Sequence, residues 1–196
     1  MAKKLSLYTE TFGFEKNWLV KALKLIPQYP DLFKRNDNQI LLGIGPNKIK
    51  ALYIWLKGME LIEAERASVK LSHIGRIIKE YDEYLNEYGS WLVLIHNLCV
   101  YPPHNPAGFY WFFNEFNKIE FNREELKYAL FADSLFDHLK PVSKEKGLTG
   151  VLAALRNPVI SDELRLFEEI EKGKFRKRYP PKELFHPLIF AYCIVD

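Results

Sequence analysis

The sequence predicts a mainly α-helical protein, and three observations carry that reading. Apolar residues recur at helical spacing through most of the chain, as in Ile49, Leu52, Tyr53 and Leu56, the i, i+3, i+4, i+7 stripe of a helix buried along one side. Alternating β-type patterning is confined to a short stretch before residue 73. At 196 residues, with 48% hydrophobic and 15% aromatic content, the chain can bury a sizeable core lined by rings.

In chain order, Leu5 to Phe14 mixes β-formers with polar residues and reads as extended, ending at Gly13. Glu15 to Ile26 reads as a helix with Trp18, Leu19, Ala22, Leu23 and Ile26 on one face; Pro27 and Pro30 end it and start a short turn through Leu32 and Phe33. Arg35 to Asn38 is a loop or cap ahead of Ile40-Leu41-Leu42. Gly43 and Gly45 permit a tight turn, and Pro46 suits the first helical position because its missing N–H would have had no partner there. That helix keeps Asn47, Lys48, Lys50 and Lys57 wet.

Gly58 to Glu63 closes the helix and starts a strand, Ala64 to Ala67 can turn, and Ser68 to Ser72 returns. Ser72 caps a helix expected to run to about Asn86. Three helices, a short two-stranded wing and a re-entering helix form the pattern of a winged helix-turn-helix over residues 1–88, in which Asn47, Lys48 and Lys50 face a DNA groove. The alternative is a buried helix followed by an ordinary hairpin.

Residues 89–196 read as an α-helical domain. Gly89 or Ser90 opens a helix through Leu98, Val100 to His104 forms a loop, and Asn105-Pro106 caps a helix holding Phe109 to Phe116. Asn122 to Glu125 is a capping-box start for Leu126 to Phe131. Ser143 to Leu155 and Ser161 to Glu171 keep helical spacing on either side of Asn157-Pro158. Residues 172–182 form a basic loop with interleaved aromatics, in which Lys174, Arg176, Lys177 and Arg178 are candidate phosphate contacts; a solvated linker is the alternative. Each phosphate contact would steepen the salt dependence of binding by about 0.9 on logarithmic axes. His186 to Val195 is an apolar helix or strand.

The formal net charge is only +3, yet residues 1–50 hold nine Lys or Arg against four Asp or Glu, and 172–182 hold six against none, so the basic charge is local. Cys99 and Cys193 suit two reduced, buried thiols, which points to a reducing cytoplasm. No apolar run approaches the ~20 residues of a membrane span and no secretory core is visible, so no membrane association is expected. The five histidines lack zinc-ligand spacing, Gly43-Ile44-Gly45 is not a dinucleotide fingerprint, and neither a phosphate-binding P-loop nor a nucleophile elbow is present. The aromatic run 109–113 can pack a core or stack on bases.

Glu10-Thr11-Phe12 with Trp18-Leu19, the Leu42 to Lys48 turn with Tyr53, Trp55 and Leu56, and Tyr110-Trp111-Phe112-Phe113-Asn114-Glu115-Phe116 resemble motifs of the bacterial domain-of-unknown-function family four thousand and seven. The basic stretch up to Ala191-Tyr192 resembles a family segment too. Two departures stand out. Tyr8-Thr9 occupies the place of a glycine-histidine pair in many relatives, and relatives continue past the region matching Tyr192 to Asp196, so the chain is expected to be a short or truncated form.

The resemblance implies a component of a DNA sulfur-modification, or phosphorothioation, system of phage defence, with duplex DNA and the other proteins of that system as partners. It further implies a DNA nicking endonuclease, a reaction usually run by Mg²⁺ held on carboxylates. Glu10 and Glu115, with Asn114 as a neutral oxygen ligand, are the candidate catalytic residues, and Glu10, Glu15 and Glu115 the candidate metal ligands, because they lie in or beside those motifs. Glu115 can instead pair with a basic residue or cap a helix. The alternative function is a non-catalytic winged-helix adaptor or regulator that delivers DNA to partner proteins. A duller reading is a structural protein whose basic loop binds a protein. A homodimer is open, since two-fold dimers are common among winged-helix proteins.

Overall fold

The computed structural model describes residues 4–66, 68–100, 106–184 and 186–195. Helices α1 (Lys16–Leu25), α2 (Asn38–Leu42) and α3 (Pro46–Gly58) lead into an antiparallel pair, β1 (Ile62–Glu65) and β2 (Ser68–Leu71), with Ile62 opposite Leu71. Helices α4 (His73–Tyr81), α5 (Tyr88–Cys99) and α6 (Gly108–Tyr110) follow, and α6 continues as a π turn, Trp111–Glu115. Strand β3 (Glu120–Asn122), helices α7 (Arg123–Ala132) and α8 (Pro141–Leu155), strands β4 (Phe167–Glu171) and β5 (Lys174–Lys177), and helix α9 (Pro187–Val195) complete the described chain. The protein is therefore mostly helical with two small antiparallel sheets, the second in the order β3-β5-β4.

One buried apolar cluster runs from Leu7 to Phe175. At its centre Phe14 meets Trp55 edge-on at 5.5 Å, stacks on Trp91 at 5.7 Å and lies 6.5 Å from Phe109, tying the N-terminal segment to α3, α5 and α6. Burying each such ring stabilises by about 1.5–3 kcal/mol, and each ring pair adds about 0.5–1.5 kcal/mol. The indole N–H of Trp55 donates to the Phe12 carbonyl at 3.1 Å, and the Asn157 amide donates to the Phe14 carbonyl at 2.7 Å. Residues 12–14 are thus held between α3 and the chain just past α8. Phe109, Trp111 and Phe112 are fully buried, so the aromatic run is core.

Local signals explain most boundaries. Gly43 takes a left-handed φ of 71° at the end of α2, and Pro46 opens α3 as its first residue. Asn122 and Glu125 form a reciprocal capping box on α7. The Ser72 hydroxyl accepts from the Gly75 N–H at 2.9 Å and caps α4. Cys99 and Cys193, expected to be buried, are thiols of intermediate exposure. Among the described residues no helix is long and apolar enough to cross a membrane.

Several expectations need correction. Helix α4 stops at Tyr81, because the Asp82 carboxylate accepts the N–H groups of Asn86 and Glu87 and turns the chain toward α5. The helix expected over 161–171 is a π turn, Val159–Glu163, followed by strand β4. The basic loop expected at 172–182 is largely the turn and returning strand of a hairpin: Gly173, with φ 79°, makes the turn, and Phe167 and Phe175 stack at 5.3 Å. Tertiary packing of those rings outweighs the helical spacing of a short segment. Tyr53, placed on the buried stripe, is only half-buried, and Ala51 and Trp55 complete that stripe instead. The loop and cap expected at 101–105, and Ala67 in the hairpin turn, lie outside the described residues.

Helix α4 comes so close to the link between α3 and β1 that a β-carbon on Gly75 would sit 2.1 Å from the Leu61 carbonyl oxygen, whereas nothing lies within 4 Å of one on Gly45. Gly75→Ala is therefore expected to cost about 2–3 kcal/mol in urea unfolding, and Gly45→Ala less than about 1 kcal/mol. Equal costs would contradict that packing.

Candidate nucleic-acid interface

Helix α3 buries Ile49, Ala51, Leu52, Trp55 and Leu56. At 3.6 residues per turn this leaves Asn47, Lys50, Ile54 and Lys57 on one outward stripe, with Tyr53 along its edge. Asn47, Lys50 and Lys57 are exposed, and Ile54 and Tyr53 are half-buried. Lys48 is also exposed but sits around the helix, its ammonium 5.1 Å from the Trp18 ring centre and 5.9 Å from that of Phe12.

The N-terminal segment crosses beside this stripe. Glu10 and Thr11 take left-handed backbone angles, φ 51° and 65°, in a turn closed by the Phe12 N–H on the Thr9 carbonyl at 3.0 Å. The turn puts the Glu10 carboxylate 3.5 Å from the Lys50 ammonium, with 61% of the lysine side chain exposed against 16% of the glutamate. Lys50 is thus the exposed partner of this pair and Glu10 the largely enclosed one. The Tyr8 hydroxyl donates to the same carboxylate, and this bond raises the phenol pKa above its ordinary value.

Two adjoining depressions of about 870 and 460 Å³ lie between α3 and the β1–β2 hairpin, and both are lined by Tyr8, Tyr53, Ile54 and Ala64. Lys57 and His73 belong to the larger, and Lys34, Lys50 and Arg66 to the smaller. Tyr8, Tyr53, Ile54 and Lys57 were missed as site residues from sequence. The spacing Lys50, Tyr53, Ile54, Lys57 was a readable signal, hidden by counting Tyr53 with the core.

The candidate acids do not converge. Glu10 lies beside Lys50, Glu15 precedes α1 as an exposed residue, and exposed Glu115 accepts the Tyr110 hydroxyl at 2.6 Å. The Asn114 amide nitrogen donates to the carbonyls of Cys99 and Tyr110, both at 3.0 Å. Among the described residues no three His, Cys, Asp or Glu side chains group where they could hold a metal ion. Mg²⁺ takes about six oxygens, most of them from water and substrate phosphate, so acids this far apart would each offer it a single carboxylate.

Three cations of the second basic region face acids of the same molecule. Arg176 lies 2.7 Å from Glu120, Lys174 3.6 Å from Glu120, and Arg178 3.2 Å from Glu168. Lys177 is half-buried: its ammonium donates to the carbonyls of Phe112 and Phe116 at the π turn and lies 4.8 Å from the Phe112 ring centre. Burial pulls it down to about 8, although the two carbonyls favour the charged form. Sequence reasoning missed these acids because Glu120 and Glu168 lie outside the basic run.

A sequence profile for proteins of unknown function, DUF4007, matches residues 8–149. Two solved structures share the fold with a TM-score of 0.78 each: a magnesium ion-bound SspB crystal structure at 21% identity and an SspB crystal structure at 19%. Each match covers 97% of this chain and 64% of the other, so this chain spans about 64% of the SspB length. No curated protein matches the chain.

Arg176 first, then Lys174, holds the Glu120 carboxyl below its usual range. A carboxyl depressed on folding stabilises above its unfolded pKa, near 4.3, and loses that contribution as pH falls through its folded value. The stability difference between wild type and Glu120→Gln, present at pH 7, is thus expected to close between about pH 5 and pH 2 in urea unfolding. A difference that persists at pH 2 would show that the ion pair is not its source.

Proposed function

This chain belongs to the DUF4007 family of proteins of unknown function, and on that footing we propose that it binds duplex DNA as a component of a bacterial phosphorothioate-modification and phage-defence system. The observation that carries the reading is the outward stripe of α3, where Asn47, Lys50 and Lys57 stay wet beside a two-stranded hairpin. In this reading residues 1–88 act as a winged helix-turn-helix: α3 approaches the groove, Lys48 and Lys50 meet phosphates, and β1–β2 serves as the wing. Residues 89–196 then form the helical second part. Phosphate contacts would position the protein without reading sequence. Lys174, Arg176 and Arg178 contribute only where phosphate displaces Glu120 and Glu168, so we give them the smaller share. The SspB likeness supports partnership with other proteins of the system, and a homodimer is one arrangement the reading allows.

The finer proposal is a nicking endonuclease that depends on Mg²⁺, as the magnesium-bound SspB structure encourages. Glu10, beside the DNA-facing Lys50, is the acid best placed to act on the bound backbone. The adaptor reading has its own support, since the acids of this chain do not converge on a metal-binding group among the described residues.

Lys48→Ala combined with Lys50→Ala is expected to weaken duplex binding at 100 mM salt by about tenfold, ~1.4 kcal/mol. Unchanged affinity would move the contact off α3. Supercoiled plasmid with Mg²⁺ separates the two chemistries. Conversion to open circles that disappears in Glu10→Ala or Glu115→Ala supports the nickase. Conversion that survives both removes these acids, and none at all supports the adaptor.

A further inference from the structure

We infer that the groove between α3 and the β1–β2 hairpin receives an unpaired nucleobase of the bound DNA, stacked on Tyr53 and Tyr8. The inference deepens the DNA-binding reading and rests on it. Tyr53 is held edge-on against Phe33, with ring centres 5.1 Å apart, and lines both depressions. Tyr8 is 47% exposed and lines both depressions. Ile54, Ala64 and Val69 supply the apolar remainder.

The charges around this lining are not balanced. Three acids line it: Asp31 pairs with Arg35 at 3.6 Å and Glu63 with Lys70 at 3.3 Å, both cations outside the lining, and Glu60 lies at the larger depression, while Lys50 faces Glu10 at 3.5 Å. Lys57 and Arg66 are exposed, and among the described residues no carboxylate pairs with either. Lys34 donates to the neutral carbonyl of Arg66 at 3.3 Å. Lys57 borders the larger depression and Lys34, Lys50 and Arg66 the smaller, so cations stand at both ends of an aromatic slot.

A flat π-face flanked by phosphates matches that pattern. A purely apolar peptide would leave the cations without partners, and a base inside an intact duplex has no free face to offer tyrosine. The volumes suit a nucleotide-sized ligand, because small-molecule sites span about 300–1,000 Å³. Stacking would be tolerant of sequence, since every base has such a face.

The test compares, with the purified chain, a DNA duplex carrying one bulged 2-aminopurine and the same duplex fully paired. Wild type is expected to bind the bulged duplex about tenfold more tightly and to quench the 2-aminopurine, a gap of ~1.4 kcal/mol. Tyr53→Leu, which keeps much of the packing volume, should lose both preference and quench, and Tyr53→Phe should retain both. Tyr8→Ala, at an exposed position, should lose part of the preference. Equal affinity of wild type for the two duplexes, or a preference untouched by Tyr53→Leu and Tyr8→Ala, would overturn the base site and leave the groove to a protein partner. Failure to bind either duplex would overturn the DNA-binding reading itself.

Discussion

The burial of Trp55 is the constraint on which the rest of the structure depends. Its ring is fully enclosed against Phe14 and Phe109, and its N–H is satisfied by the Phe12 carbonyl. An indole with an unpaired N–H in such a place would cost about 1–3 kcal/mol, so ring and donor together permit one rotation of α3 about its axis. That rotation directs Lys50, Ile54 and Lys57 outward. The same hydrogen bond anchors residue 12, which places the left-handed turn at Glu10 and Thr11 beside Lys50.

Charge is then sorted by position. A sum of +3 says little, because the hairpin cations that dominate the C-terminal run face Glu120 and Glu168. Those exposed pairs are weak and are screened by salt, so they neutralise charge more than they stabilise the hairpin. On α3 the balance differs. Among the described residues, Lys50 is the α3 lysine with an acid at hand, Glu10, and that acid already accepts the Tyr8 hydroxyl. The groove beside α3 thus carries exposed cations on its rim.

Much of this was legible in the sequence wherever a residue acts through its near neighbours. The glycine turn and Pro46 marked the start of α3, Asn122 and Glu125 marked α7, and Ser72 marked α4, because caps and turns work within three or four residues. What stayed hidden depends on distant partners. Nothing local announces that Glu10 meets Lys50 across 40 positions, that Phe167 stacks on Phe175 and so turns a helix-like segment into a strand, or that Lys177 reaches back to Phe112 and Phe116. Tyr53 shows the remaining weakness: its position fits the buried stripe by spacing, yet the roll set by Trp55 leaves it on the rim.

Contact between DNA and the outward stripe of α3 is tested most directly by site-specific photocrosslinking. A benzophenone side chain introduced at Ile54 should crosslink to duplex DNA in the purified chain, and the same group at Tyr128, 78% exposed on α7, should not. Crosslinking from position 128 or from the 174–178 hairpin, with none from position 54, would contradict it.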